Sequence, residues 1–586
     1  MSGLLATETD RRTEAHAPTA APRTGAQIMC EALVRAGVDV IFGIPGGAIM
    51  PFYHALPEYP GLRHVLCRHE QGAGHAAEGY ARASGKVGVC VATSGPGATN
   101  LVTPISDAWM DSTPMVAITG QVSSPFLGRD AFQETDITGI VLPITKHCYL
   151  VKDIHDLPRV FAEAFHLANT GRKGPVLIDV TKDVQQTRAV PVWDVHFDLP
   201  GYGGPAQLQM DGIREAAILL DQAEKPLIMA GSGVIWSDGH DALRALAEKT
   251  GIPVITTLHG KGAFPDDHPL ALGMPGMHGW VHVNRALQEC DLLLNVGGRF
   301  DDRVTGKTST FAPHAQIIHV DIDATEFGKS IRVDVPIHGD AKEVLLALVE
   351  EVQPRRADAW FAHIEALREK HEPKQTYRKR PAGAGLMPPD VYAAFNRMAR
   401  ERPCKVITDV GQHQMWAAQL IEWNTPRSHI TSGGSGTMGF SVPAALGAAL
   451  ACPDEVIWVI CGDGGFQMTN QEIATMVQEG VRNVRIAIIN NGYLGMVRQW
   501  QEMFENRRYS STPLTGPDFA QLANAYGVLG VRVESPEEVD GVLSRAWDHD
   551  GVAVIDFRVE REVNVFPIVP QGSGIGDMLV EVGVQA

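Results

Sequence analysis

The chain has 586 residues, too many for one hydrophobic core, and about 100–200 residues per domain divides it into three or four units. Its 44% hydrophobic and 20% charged residues are ordinary for a globular protein, and no apolar run reaches the roughly 18 residues of a membrane span, which excludes a transmembrane protein. A formal net charge of −18 excludes an extended nucleic-acid surface, which needs a basic stripe, but leaves room for a local cluster that holds a small anion.

Residues 1–23 are rich in Ala, Thr, Pro and Arg. Glu8, Asp10 and Glu14 count against a transit peptide, and no apolar stretch forms the core of a signal peptide, so this reads as a disordered tail. Short apolar runs then recur at 87–93, 115–120, 175–180, 227–231, 292–297, 317–322, 456–461, 484–490 and 552–557. They are rich in Val and Ile and do not alternate with polar residues, the pattern of parallel strands buried on both faces. Helix-like segments separate them, at 72–84, 211–223, 241–249 and 471–478. Strands alternating with helices predict an α/β fold of doubly wound parallel sheets. The Pro- and Gly-rich stretch 185–205 and the charged, basic stretch 353–388 read as linkers. Three domains result, at 24–188, 207–350 and 387–570, with 571–586 as a carboxyl-terminal tail. No short internal repeat is evident. Eight cysteines lie scattered without a CxxC pair, several inside apolar runs, as reduced buried thiols in a cytoplasmic protein do.

The densest chemistry lies at 462–491. Gly462-Asp463-Gly464-Gly465 comes directly after an apolar run and so falls at the carboxyl end of a buried strand, where ligands bind in open α/β sheets. Its glycines let backbone N–H groups approach an oxyanion, and Asp463 is a hard oxygen ligand suited to Mg²⁺. The next apolar run ends in Asn490-Asn491, about 27 residues on. A lone Gly-Asp-Gly is most often a turn. The pair of strand ends resembles the magnesium-diphosphate motif of thiamin diphosphate enzymes, which implies Asp463, Asn491 and the carbonyl of Tyr493 as metal ligands. In the amino-terminal block, Glu70 stands just before a helix-like segment and alone would read as an N-terminal cap or helix-dipole partner. A thiamin cofactor needs one carboxyl group against N1′ of its aminopyrimidine, and burial lets such a carboxyl donate as well as accept. Glu70 is the candidate.

The resemblance extends over nearly all of the chain past residue 24. The blocks 42–48, 68–82, 93–100 (Thr-Ser-Gly-Pro-Gly-Ala-Thr-Asn), 130–134 (Asp-Ala-Phe-Gln-Glu), 273–279, 298–306 (Gly-Arg-Phe-Asp-Asp-Arg-Val-Thr-Gly), 411–416, 431–440 and 494–501 resemble, in order, those of the acetohydroxyacid synthase (acetolactate synthase) catalytic subunit family. The resemblance implies three doubly wound domains of the thiamin diphosphate type: pyrimidine-binding, central FAD-binding and diphosphate/Mg²⁺-binding. It implies that Met438 props the thiamin into its V shape, and that Gln412, His413, Gly464 and Gly465 contact the diphosphate, with Met496 nearby. For FAD it implies Arg172, Gly231, Ser232, Gly233, Leu258, Met277, His278, Gly298, Arg299, Asp301, Asp321, Ile322 and Asp340. Gly231-Ser232-Gly233 comes directly after an apolar run, which by itself suits close approach to a pyrophosphate.

Arg303 in its Asp-Asp-Arg run would otherwise read as a surface ion pair, and Trp500 as core. The resemblance implies that Arg303 grips the carboxylate of the second 2-oxo acid, a task for a planar guanidinium, and that Trp500 narrows the acceptor pocket in favour of 2-oxobutyrate over pyruvate. Gly47, Phe132, Gln133 and Lys182 match further active-site positions, and 565–570 matches an arm that closes over the site. The implied reaction is decarboxylation of pyruvate and transfer of its acetaldehyde unit to a second 2-oxo acid, toward valine, leucine and isoleucine. The implied assembly is a homodimer or a dimer of dimers, with Glu70 and the metal motif of one site from different chains, and a small regulatory subunit. Two alternatives stand beside it: another thiamin-dependent decarboxylase or carboligase, and a silent paralogue acting as a binding partner. Glu70 disfavours glyoxylate carboligase, the 298–306 block disfavours the flavin-free synthases, and Glu70, Asp463, Asn491 and Met438 together disfavour a silent chain.

Overall fold

The computed structural model describes residues 21–196, 199–202, 208–371, 383–582 and 584–585. The expected tail therefore lies outside the described residues up to residue 20, as does the basic run at 372–382.

Three sheets of six strands dominate, each entirely parallel. All nine runs read as strands are strands, for the reason their composition gave: Met115–Gln121 and Pro175–Thr181, for example, are buried at every residue, with helices over both faces. Numbered in chain order within each sheet, the strands of the first and third lie in the order 2-1-3-4-6-5, and those of the second in the order 3-2-1-4-5-6. Each order reverses beside its first strand, and those of the first and third sheets turn back again at the far edge. In the first sheet the reversal falls between Val40–Gly43 and Gly88–Ala92, in the second between Pro226–Ala230 and Leu292–Val296, and in the third between Cys404–Thr408 and Val456–Gly462. Such reversals open a crevice at the carboxyl ends of the strands, so this topology fixes three places for ligands.

The first and third sheets share one hydrophobic core. Its centre is the crossing of the helices Glu70–Ser84 and Ser441–Ala451, both made largely of Gly and Ala. Their backbones touch. A Cβ on Gly79 would stand 2.0 Å from the carbonyl oxygen of Ala444, and one on Gly447 would stand 1.8 Å from that of Ala76.

Three segments differ from expectation. The stretch after 185 is not a free linker: Arg188–Ala189 pairs antiparallel with Arg23–Thr24, and Trp193 and Tyr202 pack on the first core. The charged helix Asp358–Lys370 buries Trp360 and Ile364 against the middle sheet, and Trp360 Nε1 donates to the Pro226 carbonyl at 3.1 Å. Two buried apolar residues suffice to dock it. Residues after 571 are no tail either, because Ile575 and Met578 are buried and Leu579–Glu581 pairs with Val584–Gln585. Among the described residues no helix is long and apolar enough to cross a membrane. All eight cysteines are free thiols.

Candidate active site

The crevice of the third sheet is lined by residues at the carboxyl ends of its two central strands. Asp463 opens the helix Asp463–Thr469 and is buried. That burial pushes its carboxyl up from the ordinary 3.8 to about 6, against the backbone N–H groups of Asp463 and Gly464 that hold it down. Beyond the adjacent strand Val484–Asn490, Asn491 donates through Nδ2 to Gln412 Oε1 at 3.1 Å, and its Oδ1 accepts from the Tyr493 amide at 3.1 Å. Gln412 is clamped in turn, its Nε2 donating to Gln499 at 2.8 Å and to the Val563 carbonyl at 2.9 Å. Asp463, Asn491 and Tyr493 thus come just after the tips of neighbouring strands and line one cavity.

Met438 is held from below by a residue that the sequence reading missed. Asp409 ends the strand Cys404–Thr408 and accepts from the amides of Gly439 and Ser441 and from the Ser441 hydroxyl, so the backbone on the carboxyl side of Met438 is fixed. Asp409 comes after a Val-Ile pair just as Asp463 does, but the run is short and interrupted by Lys405. Glycines keep the crevice open. A Cβ on Gly465 would meet Asp409 Oδ1 at 2.2 Å, and one on Gly464 would meet the Met438 methyl at 3.4 Å. His413 is buried with Nε2 unpartnered among the described residues, and burial lowers its pKa to about 4, so it stands neutral.

In the middle sheet Gly231 and Gly297 approach so closely that a Cβ on Gly231 would lie 2.2 Å from the Gly297 carbonyl oxygen. The helix Ser232–Trp236 starts there. A cavity of about 90 Å³ beside it is lined by Arg172, Ser232, Gly233, Arg299, Asp321, Ile322 and Asp340. Gly231 and Gly298 line no cavity themselves; they give the close approach. Three of these side chains are already engaged: Arg172 with Glu326 at 2.6 Å, Asp321 with the Asp323 amide at 2.9 Å, and Asp340 as the cap of the helix Ala341–Glu351.

A larger cavity of about 550 Å³ joins the middle and third sheets. One wall carries Gln412, His413, Met438, Asp463, Gly464, Gly465, Asn491 and Tyr493. The facing wall carries Leu258, Met277, His278, Arg299 and Asp301, and Arg303, Met496 and Trp500 line it as well. Arg303 is half exposed and its ion pair is loose: Nη1 touches Met277 Sδ at 3.3 Å, and Asp302 stands 3.9 Å from Nε. The 565–570 segment ties the two walls, since Gln419 Nε2 donates to the carbonyls of both His278 and Phe566.

Glu70 does not line this cavity. It begins the helix Glu70–Ser84 at the carboxyl ends of the first sheet and is half-buried, where the sequence reading expected a buried carboxyl. Asn100 donates to it at 2.9 Å. Glu472, also missed, reaches across from the third sheet's side and accepts from the amides of Arg68 and His69, which anchors the start of that helix. Gln133 lies in the same region, packed over Gly95, whereas Phe132 is 89% exposed. Gly47 sits in the loop after Val40–Gly43, and Lys182 lines a separate cavity of about 440 Å³. Within one chain, therefore, the Glu70 group stands outside the cavity that the Asp463 group lines.

The chain matches three family models: thiamine pyrophosphate enzyme N-terminal TPP binding domain over residues 23–140, central domain over 213–348, and C-terminal TPP binding domain over 409–557. It is 49% identical to the acetolactate synthase large subunit of Corynebacterium glutamicum, over 97% of this chain and 92% of that one. The chain belongs to the acetolactate synthase large-subunit family. Two distant members of that family are also similar: isozyme 2 large subunit of Escherichia coli, 46% identical over 95% of this chain and 99% of that one, and the probable large subunit of Methanocaldococcus jannaschii, 45% identical over 96% of each.

As an acetolactate synthase large subunit the chain is a thiamin-dependent enzyme, with thiamin diphosphate, Mg²⁺ and FAD as its cofactors. The residues present fit all three. The unpartnered His413 Nε2 and the glycine-lined crevice suit a diphosphate, and the oxygen set of Asp463, Asn491 and Tyr493 suits Mg²⁺. The Gly231–Gly297 approach at the start of a helix suits the pyrophosphate of a dinucleotide.

Proposed function

We propose that the chain catalyses decarboxylation of pyruvate and transfer of the remaining two-carbon unit to a second 2-oxo acid. With pyruvate as acceptor the products are 2-acetolactate and CO₂; with 2-oxobutyrate the product is 2-aceto-2-hydroxybutyrate. This is the first common step toward valine, leucine and isoleucine. The observation that carries the reading is the 550 Å³ cavity, which has a metal-diphosphate anchor on one wall and is also lined by Trp500 and by Arg303, whose half-exposed guanidinium is only loosely paired with Asp302. An anchor alone suits any thiamin enzyme; an exposed, loosely paired Arg in the same cavity suits one whose substrates are carboxylates.

When bound, thiamin diphosphate supplies the electron sink that a 2-oxo acid needs in order to lose CO₂. The protein supplies the rest. Asp463, Asn491 and the Tyr493 carbonyl hold Mg²⁺, and Gln412, His413, Gly464 and Gly465 hold the diphosphate. Met438 wedges the cofactor, with Met496 beside it, and Glu70 holds a proton at the aminopyrimidine N1′. Arg303 orients the acceptor by its carboxylate, and Trp500 limits the acceptor's size. Gly47, Phe132, Gln133 and Lys182 complete the surroundings. FAD sits along Arg172, Gly231–Gly233, Leu258, Met277, His278, Gly298, Arg299, Asp301, Asp321, Ile322 and Asp340, in a structural role because the reaction has no net redox step.

The separation of Glu70 from the Asp463 cavity supports a homodimer in which Glu70 of one chain meets the cavity of the other, alone or as a dimer of dimers. The exposed Phe132 beside Glu70, and the 37% exposed Trp500 at the cavity, are the apolar groups such a junction would cover. A small regulatory subunit and a cytoplasmic location complete the reading. Incubating the purified chain with pyruvate, with and without thiamin diphosphate and Mg²⁺, tests it: acetolactate should form only when both are present. Decarboxylation to acetaldehyde without acetolactate would point to a simple decarboxylase, and no turnover at all to a silent chain.

A further inference from the structure

Asp111 lies at a meeting point of all three sheets. It caps the carboxyl end of the helix Val102–Met110 in the first unit, and its side chain is wholly buried. One oxygen accepts from the Gly434 amide at 2.7 Å and pairs with His259 Nε2 at 3.0 Å; the other accepts from the Gly433 amide at 3.0 Å and from Arg82 at 3.2 Å. Burial by itself would raise this carboxyl, but the charges and hydrogen bonds of His259 and Arg82 and the Gly433 amide outweigh it, so the group stays well below the usual carboxylate range.

These partners belong to opposite walls of the 550 Å³ cavity. Gly433 and Gly434 lie in the loop that leads to Met438, and His259 lies in the turn Leu258–Gly260 of the flavin wall. The fit leaves no slack: a Cβ on Gly433 would stand 2.2 Å from His259 Nε2, and one on Gly434 would stand 2.6 Å from Met110 Cβ. One turn earlier on the same helix, Asp107 accepts from the Ser432 hydroxyl at 2.6 Å, and that oxygen in turn accepts from the Thr437 amide at 2.8 Å. Both ends of the loop before Met438 are therefore tied to one helix of the first unit.

We propose that Asp111 is a positioning residue that sets the spacing between the flavin wall and the thiamin wall, and so couples the two cofactor sites. The proposal rests on the reading of the cavity given above. A carboxylate suits the task because one group can hold two amides and two cationic or imidazole donors at once, which no neutral side chain matches.

The test is Asp111→Asn, whose similar shape keeps one acceptor oxygen and removes the charge. Amide hydrogen exchange in the cofactor-free protein should show Gly433 and Gly434 exchanging faster. Titrations followed by tryptophan and flavin fluorescence should show the affinities for thiamin diphosphate and for FAD weakened together, each by roughly tenfold or more, the order of one lost charge-assisted hydrogen bond. Unchanged exchange, or faster exchange with either affinity unchanged, would overturn the proposal. A parent protein that binds no thiamin diphosphate would overturn the reading of the cavity instead. Should Asp111→Asn fail to fold, Ser432→Ala releases only the second tie: the Thr437 amide should open and thiamin affinity fall while FAD affinity holds, and equal loss of both would count against separate ties.

Discussion

Asn100 Nδ2 donates to one oxygen of Glu70 at 2.9 Å, while the other oxygen faces Gly97, where a Cβ would stand only 3.3 Å away. One side of the carboxyl is therefore fixed by a neutral donor and the other is left for a partner. Glu70→Gln keeps this packing and removes the ability to share a proton. Turnover of pyruvate should fall by roughly a hundredfold or more, within the range lost with a positioned acid–base group, while thiamin diphosphate affinity changes only a few-fold. Undiminished turnover in steady-state assays would remove Glu70 from the mechanism.

Separation of Glu70 from the Asp463 cavity gives a second test. Neither Glu70→Gln nor Asp463→Asn chains should be active alone. Unfolding and refolding an equal mixture should restore about a quarter of parental activity, because half of the dimers are hybrids and each hybrid has one intact site of two. No recovery would place both groups of a site on the same chain.

Arg303 and Trp500 share a cavity but answer to different parts of a substrate. Arg303→Lys retains charge and loses the planar fork, so KM for pyruvate should rise by roughly tenfold with a smaller effect on kcat. Trp500→Leu should leave the pyruvate reaction nearly intact and lower the preference for 2-oxobutyrate by roughly tenfold, the scale set by one pocket contact. Competition assays with both acceptors would read the ratio directly.

Burial depresses several histidines, and His64, His278 and His282 are each brought down from 6.5 to about 4. A histidine that is neutral when folded and protonated when unfolded contributes stability that is full above about 6.5 and lost as pH falls toward 4. Chemical denaturation should show that loss across this window. Among the described residues His282 bonds only to the Leu272 carbonyl, and it lines neither of the two cofactor cavities. In His282→Gln the decline should be shallower by on the order of 3 kcal/mol, and an unchanged slope would assign the acid sensitivity elsewhere.

The fold was legible where strands were long and apolar. Met115–Gln121 and Val484–Asn490 announce themselves, whereas Ala271–Gly273 and His429–Thr431 are three residues long and have no periodicity to read. Half of the strands in the three sheets went unread, all of them three to five residues long. The shared order of the first and third sheets was hidden too, because it lies in topology rather than in any repeated segment. At the site, residues whose chemistry is local stood out: Asp463 and Asn491 come after apolar runs, and Gly231 starts a helix. Asp111, Asp409 and Glu472 did not, since each works through backbone amides far away in sequence, a pairing that only the folded chain creates.

The contact between the helices Glu70–Ser84 and Ser441–Ala451 constrains how this chain can vary. At most tight positions in a core, an added methyl group can be absorbed by trimming a neighbour. At Gly79 and Gly447 the obstacle is a carbonyl oxygen of the opposing main chain, which every amino acid carries. No second substitution in the facing helix removes it. These two positions are thus closed to drift one residue at a time, and a saturation library selected for growth without branched-chain amino acids should return glycine at both while tolerating exchange at Ala73 or Ala448 beside them. The register of the two helices is in that sense written into the peptide group itself, and the side chains around it are free to be rewritten.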